Sequence, residues 1–353
     1  MSDPRALRAA ALAPPQAHGA PPAAGLLRAE PEDFLVEEEL GFAPAGSGAH
    51  LLLQVRKRNA NTQWVARELA RAAGCRPGDV GFAGLKDRRA VAVQWFSVPQ
   101  PRSAVSWQGL RGEGFEVLEA HAHTRKLPRG ALAANRFSVR VRALDSDGAA
   151  LAAQLAPRLR TLAALGVPNY FGAQRFGRDA ANLSHGAPGL ARLHPAERGF
   201  ALSASRSVIF NALLARRVRE GSWNQLLEGD IANLDGRGSI FAADLTDATL
   251  AARCARLEIH PTGPLWGAGH PATRARVLEL ESQLAQDFAT ECALCAAAGM
   301  RHERRSLRLR IVAPELSAEA QAVVVRFQLP RGCFATAVLR ELVTASTSSE
   351  MPD

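Results

Sequence analysis

One carboxylate of this sequence stands among cations in a short segment that also contains two glycines. Asp87 lies between Lys86 and Arg88, Arg89 follows, and the glycines fall within residues 81–84. Neighbouring positive charge favours the ionised form of a carboxylate, and the same cations could bind phosphates on either side of a nucleotide. The alternative is an Asp that pairs with a neighbouring Arg in a turn, and composition alone favours that alternative.

Signatures of several other chemistries are absent from the sequence. It contains no GxxxxGK[ST] phosphate loop, no strand–GxGxxG–helix unit, no HExxH and no GxSxG. The nine histidines do not cluster at metal-ligand spacing, and Cys292 and Cys295 form a CxxC without a second pair. Nucleotide hydrolysis, dinucleotide redox chemistry and zinc chemistry therefore lack support in the sequence. Five scattered cysteines also favour a reducing cytosol.

The chain is basic and strongly biased towards arginine. Its 43 Lys+Arg residues exceed its 34 Asp+Glu residues, which gives a formal net charge of +9. Only Lys57, Lys86 and Lys126 are lysines. A basic surface favours a polyanionic partner, although an incidental compositional bias explains the same numbers. No apolar stretch approaches the ~20 residues needed to span a bilayer, so the sequence predicts no membrane association and a cytoplasmic location.

The elements that would position Asp87 follow from local patterns. Residues 91–98 predict a strand buried on both faces, with Asp87 in the loop that enters it. Asn61 can cap a helix that ends at Gly74. Residues 136–142 alternate between an apolar face and an Arg-rich face. Such a strand fits either a sheet beside RNA or an ordinary half-buried strand with a solvated face.

The rest of the chain is organised as strand-rich ends around a helix-rich middle. Further strands are predicted at 51–55, 115–120, 307–312 and 323–329, and helices at 149–165, 206–220, 273–300 and 334–343. The aromatic residues of 166–177 are expected to pack at a domain junction. The Ala- and Pro-rich residues 1–24 predict a disordered tail.

Residues 83–95, AGLKDRRAVAVQW, resemble the signature of the TruD family of tRNA pseudouridine synthases. Further matches follow in the family's order over about residues 25–343. They are GLLR at 25–28, PEDFLVE at 31–37, GAHLL at 48–52, NT at 61–62, RKL at 125–127 with Gly130, NRF at 135–137, VPNYFGAQRFG at 167–177, SASRS at 203–207 with FN at 210–211, and FAT at 334–336 with LRE at 339–341. Chance does not produce so many motifs in this order.

The resemblance implies an α+β fold. Its core is a pseudouridine-synthase-like mixed, largely antiparallel sheet flanked by helices, and a family-specific α/β domain is inserted in the middle of the chain. The expected boundaries are a tail at 1–24, a catalytic domain at 25–165 and 306–345, an inserted TRUD domain at 166–305, and a second tail at 346–353.

The resemblance also implies conversion of uridine 13 of tRNA to pseudouridine without a cofactor. The protein is expected to be a monomer. Asp87 corresponds to the catalytic carboxylate. The substrate-binding residues expected beside it are Phe34, Asn135, Phe137, Lys86 and Arg88. Arg28 stands where some relatives have Lys, which keeps the charge but changes the donor geometry, so its role stays open.

The residue types suit that chemistry. Loss of the N1–C1′ bond develops oxocarbenium character, and an ionised Asp87 can stabilise that charge, attack C1′ or help remove a sugar proton. The target base must leave its stack, and Phe34 or Phe137 can replace the lost stacking, worth ~1–3 kcal/mol per base. Phe137 equally fits core packing. Asn135 can read a uracil edge or hold the catalytic loop.

Two other functions fit the same basic surface. One is a catalytically silent RNA-binding protein or RNA chaperone. The other is an RNA glycosylase, which shares the first bond cleavage but releases free uracil. The intact Asp87 between Lys86 and Arg88 favours the isomerase.

Overall fold

The computed structural model describes residues 4–144, 146–184 and 186–347. Their contacts divide the chain into two compact units. The sheet unit consists of the described residues of 22–159, 311–333 and 342–347. The helical unit consists of the described residues of 4–21, 160–310 and 334–341. Each unit is therefore assembled from separate stretches of the chain.

The helices of the described residues are α1 (Pro4–Leu12), α2 (Thr62–Ala73), α3 (Gly148–Leu165), α4 (Ala187–Arg192), α5 (Pro195–Arg219), α6 (Ala248–Ala255), α7 (Ala275–Asp287), α8 (Ala289–Ala297) and α9 (Ala335–Leu342). Within this described part of the chain, none of the helices combines the length and the apolar character that crossing a membrane requires.

The strands are β1 (Ala24–Leu27), β2 (Phe34–Leu40), β3 (His50–Arg58), β4 (Gly81–Phe82), β5 (Val91–Pro99), β6 (Arg111–Gly112), β7 (Phe115–His123), β8 (Leu132–Arg142), β9 (Val167–Pro168), β10 (Ile231–Leu234), β11 (Ile240–Ala242), β12 (Ile259–Leu265), β13 (Glu303–Ser306), β14 (Arg308–Leu309), β15 (Val312–Ala318), β16 (Ala322–Pro330) and β17 (Thr344–Thr347).

Among the described residues of the sheet unit, 11 strands form one sheet in the order β15-β16-β8-β2-β5-β3-β7-β6, with β1, β17 and β4 pairing off this path. The pairs β2/β5 and β1/β17 are parallel, and the other pairs in this sheet are antiparallel. The expected mixed, largely antiparallel sheet is confirmed. Its centre is formed by β8, β2, β5 and β3.

Helix α2 packs on the sheet as its sequence predicts. The Asn61 side chain accepts a hydrogen bond from the Gln63 amide, and Gly74 ends the helix in the left-handed conformation at φ 65°. Val65 and Leu69 on the apolar face of α2 belong to one buried cluster with residues of β3 and β5. Strand β5 is buried along nearly its whole length, so the predicted two-sided burial is also confirmed.

The Arg-rich face of β8 is paired with carboxylates. The Arg140 Nε lies 2.8 Å from Glu319 Oε2, and the Arg142 guanidinium donates two 2.9 Å hydrogen bonds to the buried Asp33. Arg136 pairs with Glu39. These neighbours neutralise the stripe of charge, so the structure favours the half-buried strand over a strand dedicated to RNA.

The helical unit surrounds α5 and differs from the sequence expectation at its start. Residues 4–12 form α1, whose Leu7, Ala10 and Ala11 are buried in the same core as Phe210 of α5. The predicted disorder of residues 1–24 is therefore wrong for residues 4–21. An apolar stripe at i, i+3 and i+4 buries this Ala-rich segment against a partner helix.

Two helices of this unit also differ from the prediction. Helix α5 starts at Pro195 rather than near residue 206, and the helix predicted at 273–300 is broken between α7 and α8 at Phe288, whose side chain is buried. The aromatic residues Tyr170 and Phe171 are buried in the core of the unit, where they contribute packing. A four-stranded sheet, β11-β10-β12-β13, completes this α/β body.

Candidate active site

Asp87 lies in the connection from β4 to β5, residues 83–90, called here the Asp87 loop. A polar pair anchors this loop to the sheet unit. Gln94 of β5 donates a 2.6 Å hydrogen bond to the Gly84 carbonyl and accepts a 3.1 Å bond from the Thr62 hydroxyl. The Thr62 oxygen in turn accepts from the Lys86 amide at 3.1 Å. The first turn of α2 and the middle of β5 thus hold the Asp87 loop in place.

The Asp87 carboxylate is accessible and its direction is set by Arg28. Its side chain is 52% exposed, and Oδ2 accepts a 2.7 Å hydrogen bond from Arg28 Nη2. The Arg28 guanidinium carbon lies 4.2 Å from the centroid of the Phe34 ring, a cation–π distance. Arg28 follows β1 with φ 58°, a conformation that costs a non-glycine residue about 1–3 kcal/mol. The contacts to Asp87 and Phe34 offset that cost.

Three aromatic rings form a row of contacts that leads from Arg28 into the sheet. Phe34 lies edge-on to Phe137 with centroids 6.0 Å apart, and Phe137 stacks on Phe327 at 5.4 Å. All three rings are buried. Phe137 therefore contributes to the core as well as to the group of predicted site residues.

Asn135 lies on the same face of β8 as Phe137, since the two residues are separated by one pleat. Its side chain is buried, and no donor in the described part of the chain reaches Oδ1. An unsatisfied buried acceptor costs about 1–3 kcal/mol. Because Asn135 lies next to other predicted substrate contacts, its Oδ1 is suited to accept a hydrogen bond from a ligand.

Lys86 points into the protein rather than towards solvent. Its ammonium lies 2.6 Å from Glu38 Oε1, and Glu38 Oε2 accepts a 2.9 Å hydrogen bond from the Trp95 amide. The two side chains are 10% and 0% exposed. In the structure Lys86 therefore holds the Asp87 loop to the sheet, and its expected substrate contact stays a prediction. Glu38 is opposite Asn135 in the β2–β8 register.

Arg88 keeps an outward position. Its guanidinium is exposed and makes a 3.4 Å contact from Nε to the Asn59 carbonyl. The adjacent Arg89 donates to the Arg28 carbonyl at 3.5 Å. Arg88 is therefore accessible next to Asp87, and its expected substrate contact stays a prediction.

The sequence reasoning missed Lys57, which lies beneath the Asp87 loop. Its side chain is fully buried, and Nζ donates to the Asp87 carbonyl at 2.7 Å and to the Ala60 carbonyl at 2.9 Å. Burial lowers the pKa of Lys57 to about 8; the Lys86 ammonium adds to this effect, whereas Asp87 and Glu38 oppose it. A signal was present, because Lys57 shares the inward alternation of β3 with buried Val55.

The fold and this group of residues define a pseudouridine-synthase-like α+β protein. A crystal structure of a protein assigned as tRNA pseudouridine synthase D (TruD) from Methanosarcina mazei superposes with a TM-score of 0.71, covering 93% of this chain and 95% of that chain at 22% identity. At that identity the similarity establishes the fold.

Sequence comparison establishes the family. The family described as tRNA pseudouridine synthase D (TruD) matches residues 16–187 and 184–342. The tRNA pseudouridine synthase D of Chromohalobacter salexigens is 45% identical over 336 residues, which cover 93% of this chain and 95% of the relative. That of Pseudomonas aeruginosa strain LESB58 is 46% identical over 338 residues, 93% of each chain. The chain belongs to the TruD family of tRNA pseudouridine synthases.

Proposed function

We propose that the chain converts uridine 13 of tRNA to pseudouridine, with Asp87 acting at C1′ of a flipped-out nucleotide. The observation that carries this proposal is the accessible Asp87 carboxylate, aimed by Arg28 and placed beside Phe34. The relatives named above are tRNA pseudouridine synthases, and the basic chain suits a polyanionic substrate. The position of the target uridine rests on the family resemblance.

The reaction is an isomerisation in which all atoms of the nucleotide are retained except one exchanged hydrogen. The N1–C1′ bond breaks, the uracil turns, and a C5–C1′ bond forms. The proton on C5 leaves to water and N1 gains a proton. Asp87 stabilises positive charge at C1′, attacks C1′, or removes a sugar proton. Each of these routes needs the ionised carboxylate close to the ribose.

Stacking of the target base on Phe34 requires Arg28 to move. The Arg28 guanidinium covers a face of the Phe34 ring at 4.2 Å. A base that stacks on this face must displace the guanidinium, which then stays free to pair with Asp87 or with a phosphate. Stacking on Phe34 offsets about 1–3 kcal/mol of the stacking lost on flipping.

Asn135 is proposed to recognise the detached uracil. Its unpaired Oδ1 can accept a hydrogen bond from a uracil N–H, and the amide can donate to a uracil carbonyl. Retention of the base between cleavage and rejoining requires such contacts, because uracil is not covalently held by its ribose at that stage. Lys86 then acts indirectly by holding the loop, while Arg88 contacts a flanking phosphate.

Tritium release tests the function. Purified protein is incubated with a tRNA transcript that carries tritium at uridine C5, and a matched transcript has cytidine at position 13. We expect stoichiometric release to water from the first transcript and no release attributable to position 13 from the second. In an unlabelled transcript the mass of the nucleotide should not change. Abasic sites with free uracil would indicate a glycosylase, and binding without release would indicate a silent RNA-binding protein.

Replacement of Asn135 by Leu separates recognition from folding. We expect turnover of tRNA by Asn135→Leu to fall roughly 10- to 100-fold, the value of one or two lost hydrogen bonds. The melting temperature should stay the same or rise, because a buried acceptor without a partner is removed. Ser138→Ala, on the opposite face of β8, is the control and should keep wild-type turnover. A variant that loses stability and activity together would place Asn135 among purely structural residues.

A further inference from the structure

A second concave site in the sheet unit carries positive charge and is separate from the Asp87 carboxylate. It is a cleft of about 660 Å³, called here the basic cleft. It is lined by one face of α2, by residues of the segment 77–82, which includes β4, and by residues 126–129 of the loop before β8. Three of these residues are cations and none is a carboxylate.

The three cations are not neutralised by ion pairs within the described residues. Arg67 lies 5.8 Å from the Trp64 ring, Arg129 lies 3.7 Å from the Phe82 ring, and Lys126 donates to the Gly78 carbonyl. Several other exposed arginines of this unit are paired with carboxylates. Examples are Arg71 with Glu68 in α2, Arg111 with Glu116 and Arg140 with Glu319.

The positive charge of the basic cleft is suited to binding an anion. Unpaired cations that converge in a concave site raise the local concentration of anionic ligands. Arg67 and Arg129 supply planar donor forks that match phosphate oxygens, and Lys126 adds a point charge. Ring contacts and a main-chain hydrogen bond hold the cations in place before any ligand binds, which reduces the entropy lost on binding.

The basic cleft is close to the Asp87 loop along the chain and through hydrogen bonds. Phe82, at the wall of the cleft, precedes Asp87 by five residues, so their Cα atoms are at most about 18 Å apart. Gly130, next to Arg129, donates a 2.7 Å hydrogen bond to the Ala83 carbonyl of the loop. At a rise of about 3.4 Å per nucleotide, this distance corresponds to roughly five nucleotides.

We propose that the basic cleft binds the phosphodiester backbone of the substrate RNA within about five nucleotides of the target uridine. This inference rests on the proposed function, which supplies the RNA. Arg67, Lys126 and Arg129 neutralise up to three phosphates there and set the register that brings the target to Asp87. The cleft also gives a role to the RKL motif at 125–127, which the chemistry at Asp87 leaves without one.

The test measures tRNA binding against salt. Three neutralised phosphates contribute about two to the slope of log Kd against log salt, at about 0.7 each for single strands. The variant with Arg67→Gln, Lys126→Gln and Arg129→Gln should therefore lose about two from the slope and bind up to about 100-fold more weakly at 0.1 M salt, approaching wild type near 1 M. KM should rise in parallel, and kcat at saturating tRNA should stay within about twofold.

Arg71→Gln is the matched control, since it removes one cation from α2 outside the cleft; its salt slope should equal that of wild type. Arg67→Gln alone covers the case in which the triple variant does not fold, and should lower the slope by about 0.7. The inference is overturned if the folded cleft variants keep the wild-type slope of log Kd against log salt while the wild-type protein releases tritium. Absence of release by wild type instead overturns the proposed function, so the two failures are distinguishable.

Discussion

Asp87→Asn is expected to reduce turnover of tRNA by at least about 10³-fold, because an amide lacks the charge needed in each of the three possible roles of the carboxylate. Affinity for unmodified tRNA should stay within a few-fold of wild type. The side chain is half-exposed and its ion pair with Arg28 is accessible to water, so loss of the pair costs no more than about 1 kcal/mol of stability. Single-turnover kinetics and equilibrium tRNA binding measure the two quantities separately.

Glu319→Gln provides the control for Asp87→Asn. It removes the carboxylate of an ion pair with similar exposure, 42% for Glu319 and 32% for Arg140, on the opposite face of the same sheet. We expect wild-type turnover for this variant. If Asp87→Asn instead lowered tRNA affinity as much as turnover, or kept substantial turnover, the carboxylate would be structural.

Lys57→Met is expected to reduce kcat by about 10²-fold while tRNA affinity is nearly unchanged. The ammonium holds the main chain of Asp87 at 2.7 Å, and Met cannot replace that hydrogen bond. A displacement of about 1 Å in a reacting group is sufficient for such a loss. Arg56→Met, on the exposed side of the same strand, is the control and should keep wild-type kcat. Equal kcat in the two variants would show that Lys57 does not position Asp87.

The pH dependence of stability gives a second test of Lys57. A side chain that only fills space would not change this dependence. The pKa of Lys57 is lowered in the folded protein to about 8 from an ordinary value of 10.5. The folded state therefore disfavours the charged form, and this penalty disappears as pH rises from about 8 to about 10.5. Over that range the free energy of unfolding of wild type should rise relative to Lys57→Met by up to about 3 kcal/mol. A constant difference in denaturant unfolding would refute the lowered pKa.

Local patterns were sufficient to predict helix α2 and the sheet strands β3, β5, β7, β8 and β16. Helix α2 has its cap, apolar face and glycine stop within residues 61–74, and β5 is recognisable from apolar residues on both of its faces. The position of Asp87 in the loop that enters β5 follows from these neighbours. Such predictions succeed because the deciding interactions are within a few residues of each other.

Long-range pairing explains what the sequence did not reveal. The pairing of Lys86 with Glu38 depends on the alignment of β2 with β5, and the neutral Arg-rich face of β8 depends on Glu319, 179 residues from Arg140. Lys57 is directed inward by strand alternation, but nothing local shows that a carbonyl of the Asp87 loop will lie above it. The break at Phe288 has no glycine or proline in its sequence to signal it.

Helix α1 illustrates a different limitation of local patterns. Its Ala-rich sequence has little apolar bulk, so composition suggests a tail, whereas contact with α5 buries Leu7 and Ala11. The stability of such a helix comes from its partner rather than from its own sequence. The partner was not identifiable before the fold was known.

The most direct test of the central claim is the position of the target ribose relative to residue 87. A crystal structure of Asp87→Asn bound to tRNA should place C1′ of uridine 13 about 3–3.5 Å from the side-chain oxygen of residue 87, with the uracil against Phe34 and within hydrogen-bonding distance of Asn135. A complex in which uridine 13 remains stacked in the tRNA, or in which the flipped nucleotide lies away from residue 87, would contradict the account.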